Sequence, residues 1–567
     1  MRSTKRIVGG IRQYLLTLAM LVSSVGMGIA LWGFITPADN AGYMKISKSL
    51  AIFGEFFRQV SSSYVDEIDP LEFIKAGIDG MVKHLDPYTS YISDEENEEV
   101  DIITTGVYGG LGIVTSTIDS AVTIVGITEG CVAERAGLRI GDKIYAVDST
   151  VVLRSSSEEL RKLTRGKAGT TITMRILRAG VRDTLQFTLQ RQEVVLKNVS
   201  YYGIVRNTIG YVRIERFTHN APNEVREAVL ALQKLCADRK SVLQGLILDV
   251  RENPGGLLDA AVGVCELFLP SGTQVVATRG RTADSERRYH TRRPPLDDKL
   301  PLAVLIDNNT ASASEIVAGA LQDLDRAVVI GERSFGKGLV QTISSLPYDA
   351  TLKMTTAKYY MPSGRCIQKI DYNDRRHGII KPPADTGKIF TTVRGRIVHD
   401  ASGITPDTIV RPRIQHSVVG ELLKRNVVFA FANEFSGAKA SLPPDFSADR
   451  QLFNQFVGYV KRSKLIYESA TFRKVQELES LLKSSGTISH NLAAALDATK
   501  HQMMKDQLAE LERQREEVRS LLYEEILKRF YPRSAVLQKM IEYDTDVQAA
   551  VAILHDVRRY KAMLRQL

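Results

Sequence analysis

The chain has 567 residues, 44% of them hydrophobic and 25% charged, and a net charge of +10. That length allows three or four domains; the ordinary composition, with no long low-complexity tract and no sustained repeat, fits a globular protein and argues against a fibrous or repeat architecture. Much of the positive charge is local, as in RGRTADSERRYHTRR (279–293). No stacking-aromatic motif accompanies it, so nucleic acid is not an expected partner, and an anionic membrane surface suits it better.

At the N-terminus Arg2, Lys5, Arg6 and Arg12 precede an almost uncharged apolar run from Tyr14 to Ile35. At about 1.5 Å per residue such a helix can cross a bilayer, and the basic residues before it predict a cytoplasmic N-terminus with the bulk of the chain exported. The run is longer than a usual signal-peptide core and no clean A-x-A site follows, which favours an uncleaved anchor over a cleaved signal or a buried helix. The four cysteines (Cys131, Cys236, Cys265, Cys366) form no C-x-x-C. Zinc is therefore not expected, and buried thiols are preferred to a disulfide.

Residues 40–105 carry helical spacing in MKISKSLAIFGEFFRQVSSSYV and FIKAGIDGMVKHL, broken by DPYTSYIS. From 106 to 190 short alternating runs (SAVTIVGI, DKIYAVDS, TITMRILR, TLQFTLQ) predict strands, with one short helix at SSEELRKLT. Strands and helices then alternate to about 415: IGYVRIERF, a helix over 223–237, GLILDVR, and a helix over 257–268, an order that predicts α/β layers. Beyond 416 the chain is again helical. Met504, Leu508, Leu511, Val518 and Leu522 form one stripe, which predicts packing against its own domain or another subunit.

In the β-rich part, Gly110-Leu111-Gly112-Ile113 matches the carboxylate-binding loop of PDZ domains, where glycines let successive backbone N–H groups turn toward one anion. GCVAERAGLRIGDKIYAVDSTVV follows at the spacing of a later PDZ segment. The two together resemble a PDZ domain, which implies a receptor for free C-termini, the bound peptide adding a strand to the sheet.

Three segments further on carry candidate chemistry. In NNTASASEIVAGALQD (308–323), Ser312 and Glu315 make an S-x-x-E capping box. The same placement suits a nucleophile, whose hydroxyl would lie beside the free N–H groups of a helix N-terminus. A serine needs a base, and none of the nine histidines lies in a triad motif. VVIGERSFGKGLVQT places Lys337 between Gly336 and Gly338. Enclosed by apolar neighbours, a lysine loses solvation of its charged form and becomes a usable base; Gln341 could orient the amine. Alone, Lys337 also fits an exposed turn. Ser334 and Lys337 match S-x-x-K, but the glycines disfavour the helix that motif requires and no S-D-N or K-T-G accompanies it. In GLILDVRENPGGLLDAAVGV a buried strand runs into Arg251–Gly256, where N–H groups at Gly255 or Gly256 could face an oxyanion, or could simply start a helix.

The order PDZ, D-x-R-x-N-P-G-G, S-A-S-E-I, F-G-K-G-x-V-Q resembles the C-terminal processing peptidases, or tail-specific proteases, from about Val60 through DPYTSYIS to SGRCIQ and GITPD (403–407). The resemblance implies a multidomain α/β chain: a crotonase/Clp-protease-like peptidase core with an inserted β-rich PDZ domain, and helical regions at both ends. It implies that Ser312 is the nucleophile, Lys337 the general base and Gln341 its support, with Gly256 and the Ala313 N–H as oxyanion hole and no cofactor or metal. Thr310 and Glu252 depart from the serine and asparagine common in the family. The expected division is 1–38 anchor or signal, 39–105 helical, 106–195 PDZ, 196–415 peptidase core and 416–567 a C-terminal helical domain of no widely shared motif. Expected partners are peptides or proteins with free C-termini, the membrane through the N-terminal segment, and further copies of the chain through the helical regions. The expected location is the cell envelope, on the exported side of the cytoplasmic membrane. The alternative is a catalytically silent PDZ adaptor.

Overall fold

The computed structural model describes residues 40–93, 98–370, 372, 387–410, 418–437, 439–462 and 470–566. The expected anchor lies outside the described residues. Among those residues no helix is long and apolar enough to cross a membrane, and all four thiols are free, three of them buried.

The chain forms two units, Met1–His84 and Leu85–Leu567. The first holds α1 (Asn40–Ser63) and α2 (Pro70–Val82). Asp69 caps α2, its carboxylate accepting the Leu71 N–H at 2.8 Å, and Pro70 supplies a first residue that needs no hydrogen-bond partner. Phe57 stacks on Phe73 at 5.7 Å, while Tyr43, Met44, Ile46, Leu50 and Ile52 of α1 are exposed.

The second unit opens with β1 (Ser90–Ile92) and α3 (Glu98–Thr104). Its β-rich part comprises β2 (Val107–Gly110), β3 (Ile113–Ile118), β4 (Ala121–Ile127), α4 (Val132–Arg135), β5 (Lys143–Val147), β6 (Thr150–Val151), α5 (Ser157–Thr164), β7 (Thr171–Leu177), β8 (Leu185–Gln190) and β9 (Gln192–Val195). The sheet order is β3-β4-β5-β7-β8, with β6 on β5, and β2 pairs with β9. Alternate residues of β7 (Ile172, Met174, Ile176) enter a core with Leu111, Ile124, Ile144 and Leu160. SSEELRKLT is α5, closed by a Ser156–Glu159 capping box.

The next part contains β10 (Val199–Val205), β11 (Ile209–Ile214), α6 (Ala221–Asp238), β12 (Gly245–Asp249), α7 (Leu258–Glu266), β13 (Gln274–Gly280), β14 (Arg287–His290), β15 (Leu302–Ile306), α8 (Ala313–Asp323), β16 (Ala327–Gly331), β17 (Leu339–Ser345), β18 (Thr351–Tyr360), β19 (Ile389–Thr391), β20 (Ile397–His399) and β21 (Thr408–Ile409). One sheet runs β10-β11-β12-β15-β16-β21, parallel from β11 onward. Every residue of β11, β12, β15 and β16 is buried, as expected of strands covered on both faces. Leu246, Leu248 and Val304 face α6, α7 and α8. Ile247, Ala303 and Leu305 face Val547, Ala550 and Leu554 of a helix from the far end of the chain. A second, antiparallel sheet runs β1-β18-β13-β14, with β17 also on β18. DPYTSYIS therefore does more than interrupt helices: its Ser90–Ile92 joins this sheet.

The remaining helices are α9 (Val418–Lys424), α10 (Val427–Ser436), α11 (Arg450–Arg462), α12 (Ala470–Ser484), α13 (His490–Arg513), α14 (Arg515–Leu527), α15 (Arg533–Met540), α16 (Thr545–His555) and α17 (Val557–Met563). Leu511, Val518 and Leu522 enter a core shared with Phe431, Phe453 and Phe456, so the predicted stripe packs within its own domain. The helix carrying that stripe breaks at Gln514.

Candidate active site

The site forms where β12 and β15 end and their chains turn into helices, the edge of a parallel sheet where ligands commonly bind. Ser312 closes the turn after β15 with φ +57°, a left-handed conformation rare for a residue with a side chain. The turn is held by Asp307, whose carboxylate accepts the N–H groups of Thr310 (2.9 Å), Asn309 (3.1 Å) and Glu252 (2.9 Å). Thr310 Oγ1 lies 3.0 Å from the Val250 carbonyl and 2.9 Å from Asp307, so threonine keeps the hydroxyl a serine would bring. Glu252 is on the surface, reaching Arg213 at 3.3 Å.

Asn253 joins this turn to the one after β12. Its Nδ2 donates to the Ile214 carbonyl (2.9 Å), and its own carbonyl accepts from the Ala311 N–H and from Ser314 Oγ, both at 3.0 Å. Ser314 is thereby a structural hydroxyl. Gly255 (φ +104°) presses against the nucleophile's turn: a Cβ there would stand 2.9 Å from Ser312 Cβ and 2.8 Å from the Ala313 nitrogen. Among the described residues neither the Gly256 N–H nor the Ala313 N–H has an acceptor.

The third segment, 332–338, has no helical turn, and β17 begins at Leu339. Glu315, fully buried, binds it to α8. One carboxylate oxygen accepts the N–H groups of Ser312 (2.8 Å) and Lys337 (2.9 Å); the other accepts from the Gly336 N–H (2.7 Å) and Ser334 Oγ (2.5 Å). Tyr359 Oη donates to the carbonyls of Ser312 (3.2 Å) and Lys337. Lys337 Nζ lies 4.2 Å from the centre of the Tyr88 ring. That ring is carried by a turn in which Asp86 accepts the Tyr88 and Thr89 N–H groups. Burial, then Lys353, pushes the Lys337 amine down to about 8, against smaller opposing effects of Asp86 and Glu315. Burial also raises Glu315 to about 7, although its four donors work the other way.

The structure thus brings together the backbones of Ser312, Ala313, Gly255 and Lys337. It does not hydrogen-bond Ser312 Oγ to Lys337 Nζ, and Gln341 donates to Thr355 Oγ1 (3.2 Å), not to the lysine. Catalytic contacts often close only on substrate. Sequence reasoning missed Glu315 as more than a cap, and missed Tyr88, Tyr359 and Asn253. The quoted DPYTSYIS and D-x-R-x-N-P-G-G motifs held two of these without indicating a role.

Beneath the site a second buried carboxylate, Asp249, is compensated by cations. Arg213 (3.0 Å) and Arg251 (2.6 Å) pair with it and Tyr211 Oη donates to it at 2.6 Å. Although burial opposes the charge, the arginines hold its pKa well below the usual range. Arg251 continues to Asp544 and Asp546, each at 2.8 Å, at the start of α16.

In the β-rich part β3 pairs, among the described residues, only with β4, which leaves one edge without a partner strand there, on the side of α5. The Gly110–Ile113 loop lies at the start of that edge. Gly112 takes φ +80° over the Cys131 side chain, and the N–H groups of Leu111 and Gly112 have no acceptor among the described residues.

Residues 208–375 match the description "Peptidase family S41", and 123–178 match "PDZ domain". Residues 418–554 match "Probable PDZ-protease, C-terminal helical domain", which corrects the expectation that this region follows no shared pattern. The carboxy-terminal-processing protease of Bartonella bacilliformis is 40% identical over 324 residues, 57% of this chain and 73% of that one. The carboxyl-terminal-processing protease of Synechocystis is 36% identical over 299 residues, 52% and 68%. The chain belongs to the carboxy-terminal processing proteases of peptidase family S41. As a family member it is a serine peptidase, an S41 core joined to a PDZ domain and a helical C-terminal region. The solved photosystem II D1 C-terminal processing protease is 26% identical and covers 64% of this S41 chain and 93% of its own, with a TM-score of 0.37.

Proposed function

We propose that the protein is an exported endopeptidase that takes the free C-terminus of a substrate on its PDZ domain and cuts nearby through Ser312 and Lys337. The observation that carries this is the setting of Lys337: an amine pushed down to about 8 by burial, on a segment tied to that of Ser312 by one carboxylate. A neutral lysine can take the proton of Ser312 Oγ as that oxygen attacks the scissile carbonyl. The negative charge developing on the carbonyl oxygen falls to the N–H groups of Gly256 and Ala313. Lys337 then returns the proton to the leaving amine, and water cleaves the acyl-enzyme by the same route. Gln341, four residues on from Lys337, is assigned the support of the amine. The free edge of β3 and the unpaired N–H groups of Leu111 and Gly112, in the loop Gly110–Ile113, suit an extended peptide ending in a carboxylate.

Export and envelope location rest on the basic residues and apolar run at the N-terminus, which also supplies the membrane contact. The exposed apolar side chains of α1 support contact with another copy. The test uses a fluorophosphonate probe and a peptide in acid and C-terminally amidated forms. The wild type is labelled, Ser312→Ala is not, and the amide binds more weakly. A labelled Ser312→Ala would move the nucleophile elsewhere; wild type left unlabelled would favour a catalytically silent tail-binding adaptor.

A further inference from the structure

We infer that Glu315 is a positioning residue that sets the nucleophile's segment against the base's segment by accepting the backbone N–H groups of Ser312 and Lys337 on one oxygen. The inference rests on the Ser312–Lys337 dyad. A glutamate in a capping box need reach only its own N-cap. Three of the four donors to Glu315 lie instead on 334–337, a stretch that is neither helix nor strand. Gly336 sits at φ +87° within it; bonds to Thr310, Ile404, Lys369 and Tyr359 also hold the segment, but the N–H groups of Gly336 and Lys337 themselves are held by Glu315. The carboxylate is fully buried, and among the described residues no arginine or lysine forms an ion pair with it. Burying an uncompensated acid for the sake of a helix cap alone is unfavourable, since glutamine at that place could reach Ser312 without the charge. Glutamine could not hold all four donors: its amide NH₂ would face N–H groups that need an acceptor. Ser334 extends the clamp by accepting the Ile404 N–H at 2.6 Å, which gives the GITPD segment a part in placing the base.

The charge has a second effect. Around Lys337 stand Lys353 on β18, Asp86 and Tyr88 before β1, and Glu315 on α8; Tyr359 reaches its carbonyl. Removing the negative charge of Glu315 withdraws one influence that favours the ammonium form, so the amine deprotonates at lower pH.

The test compares kcat, KM and the pH profile of kcat/KM for wild type, Glu315→Gln and Ser334→Ala on one C-terminal peptide, with Ser312→Ala as reference. We expect Glu315→Gln to lose roughly 100-fold in kcat, the scale of a small misplacement of reacting groups. KM should stay unchanged because the PDZ groove is untouched, and the acid limb should move to lower pH. Ser334→Ala, which removes one donor, should lose less. Wild-type kcat and an unmoved limb in Glu315→Gln, with Ser312→Ala inactive, would overturn the positioning role while leaving the dyad. If Glu315→Gln does not fold, unchanged kcat in Ser334→Ala overturns it. Activity in Ser312→Ala would remove the dyad and this inference with it.

Discussion

One buried acid ends a strand of the parallel sheet and another lies in the first turn of the helix after the neighbouring strand, and the protein treats the two acids in opposite ways. Asp249, at the end of β12, is enclosed by Arg213, Arg251 and the Tyr211 hydroxyl, and is held ionised. Glu315, in the first turn of α8, has among the described residues only N–H and O–H donors and is pushed up to about 7. The first is a fastening: through Arg251 it ties the loop before Gly255 to Asp544 and Asp546 of the C-terminal helices. The second lies against groups that must stay chemically responsive. A guanidinium beside Glu315 would settle its charge, and would also place a permanent cation near the amine that has to become neutral. Counterions therefore mark where this fold needs permanence, and neutral donors mark where it needs a poised charge.

The comparison breaks first, and by most, at the poised end. Lys337→Arg keeps a cation but supplies no neutral base, so kcat/KM on a C-terminal peptide should fall by about 10⁴-fold or more, nearly as far as in Ser312→Ala. Substantial remaining activity would place the base elsewhere. At the fastened end, Asp249→Ala leaves two buried arginines facing each other. Urea unfolding should register a loss of about 3–5 kcal/mol; a loss no larger than that of a surface substitution would deny the acid its anchoring role.

Acid and base titration of stability sharpens the contrast, because the signs are opposite. Asp249 binds its proton less tightly when folded, so its contribution is present above the ordinary carboxylate range and is lost as pH falls. Glu315 binds its proton more tightly when folded. Its contribution is complete below its ordinary value of 4.5 and is lost as pH rises through about 7. The stability of wild type relative to Glu315→Gln should therefore decline between those values, as read by thermal unfolding across the range. A flat difference would mean that folding does not raise the Glu315 pKa. The smallest effect belongs to Asp544→Ala. It removes a helix cap that accepts the Asp546 N–H at 2.9 Å as well as one arm of the Arg251 cluster, and should cost about 1 kcal/mol with little change in kcat.

Much of this was legible in the sequence where the signal is local. The helix expected over 223–237 is Ala221–Asp238, and the strand, Ser312 turn and α8 follow one another as their residue types require. Lys337 could be suspected from two flanking glycines. What stayed hidden depends on pairing across long stretches of chain. The turn that carries Tyr88 is placed by the register Ser90↔Lys353. The donors of Glu315 come from beyond a whole strand, and the cover of one sheet face comes from Val547, Ala550 and Leu554 at the far end of the chain. A capping-box glutamate looks the same in sequence whether it caps its helix or clamps a second segment. Even Arg251 and Asp249, adjacent in one motif, gave no hint of Asp544.

The central claim is that the amine of Lys337, neutral near pH 8, takes the proton of Ser312. Its most direct test is the pH dependence of kcat/KM for the wild type on one peptide. A single deprotonation predicts an acid limb of slope one with its midpoint near 8. A limb centred near 6.5, the range of histidine, or a rate flat from pH 6 to 9, would contradict it.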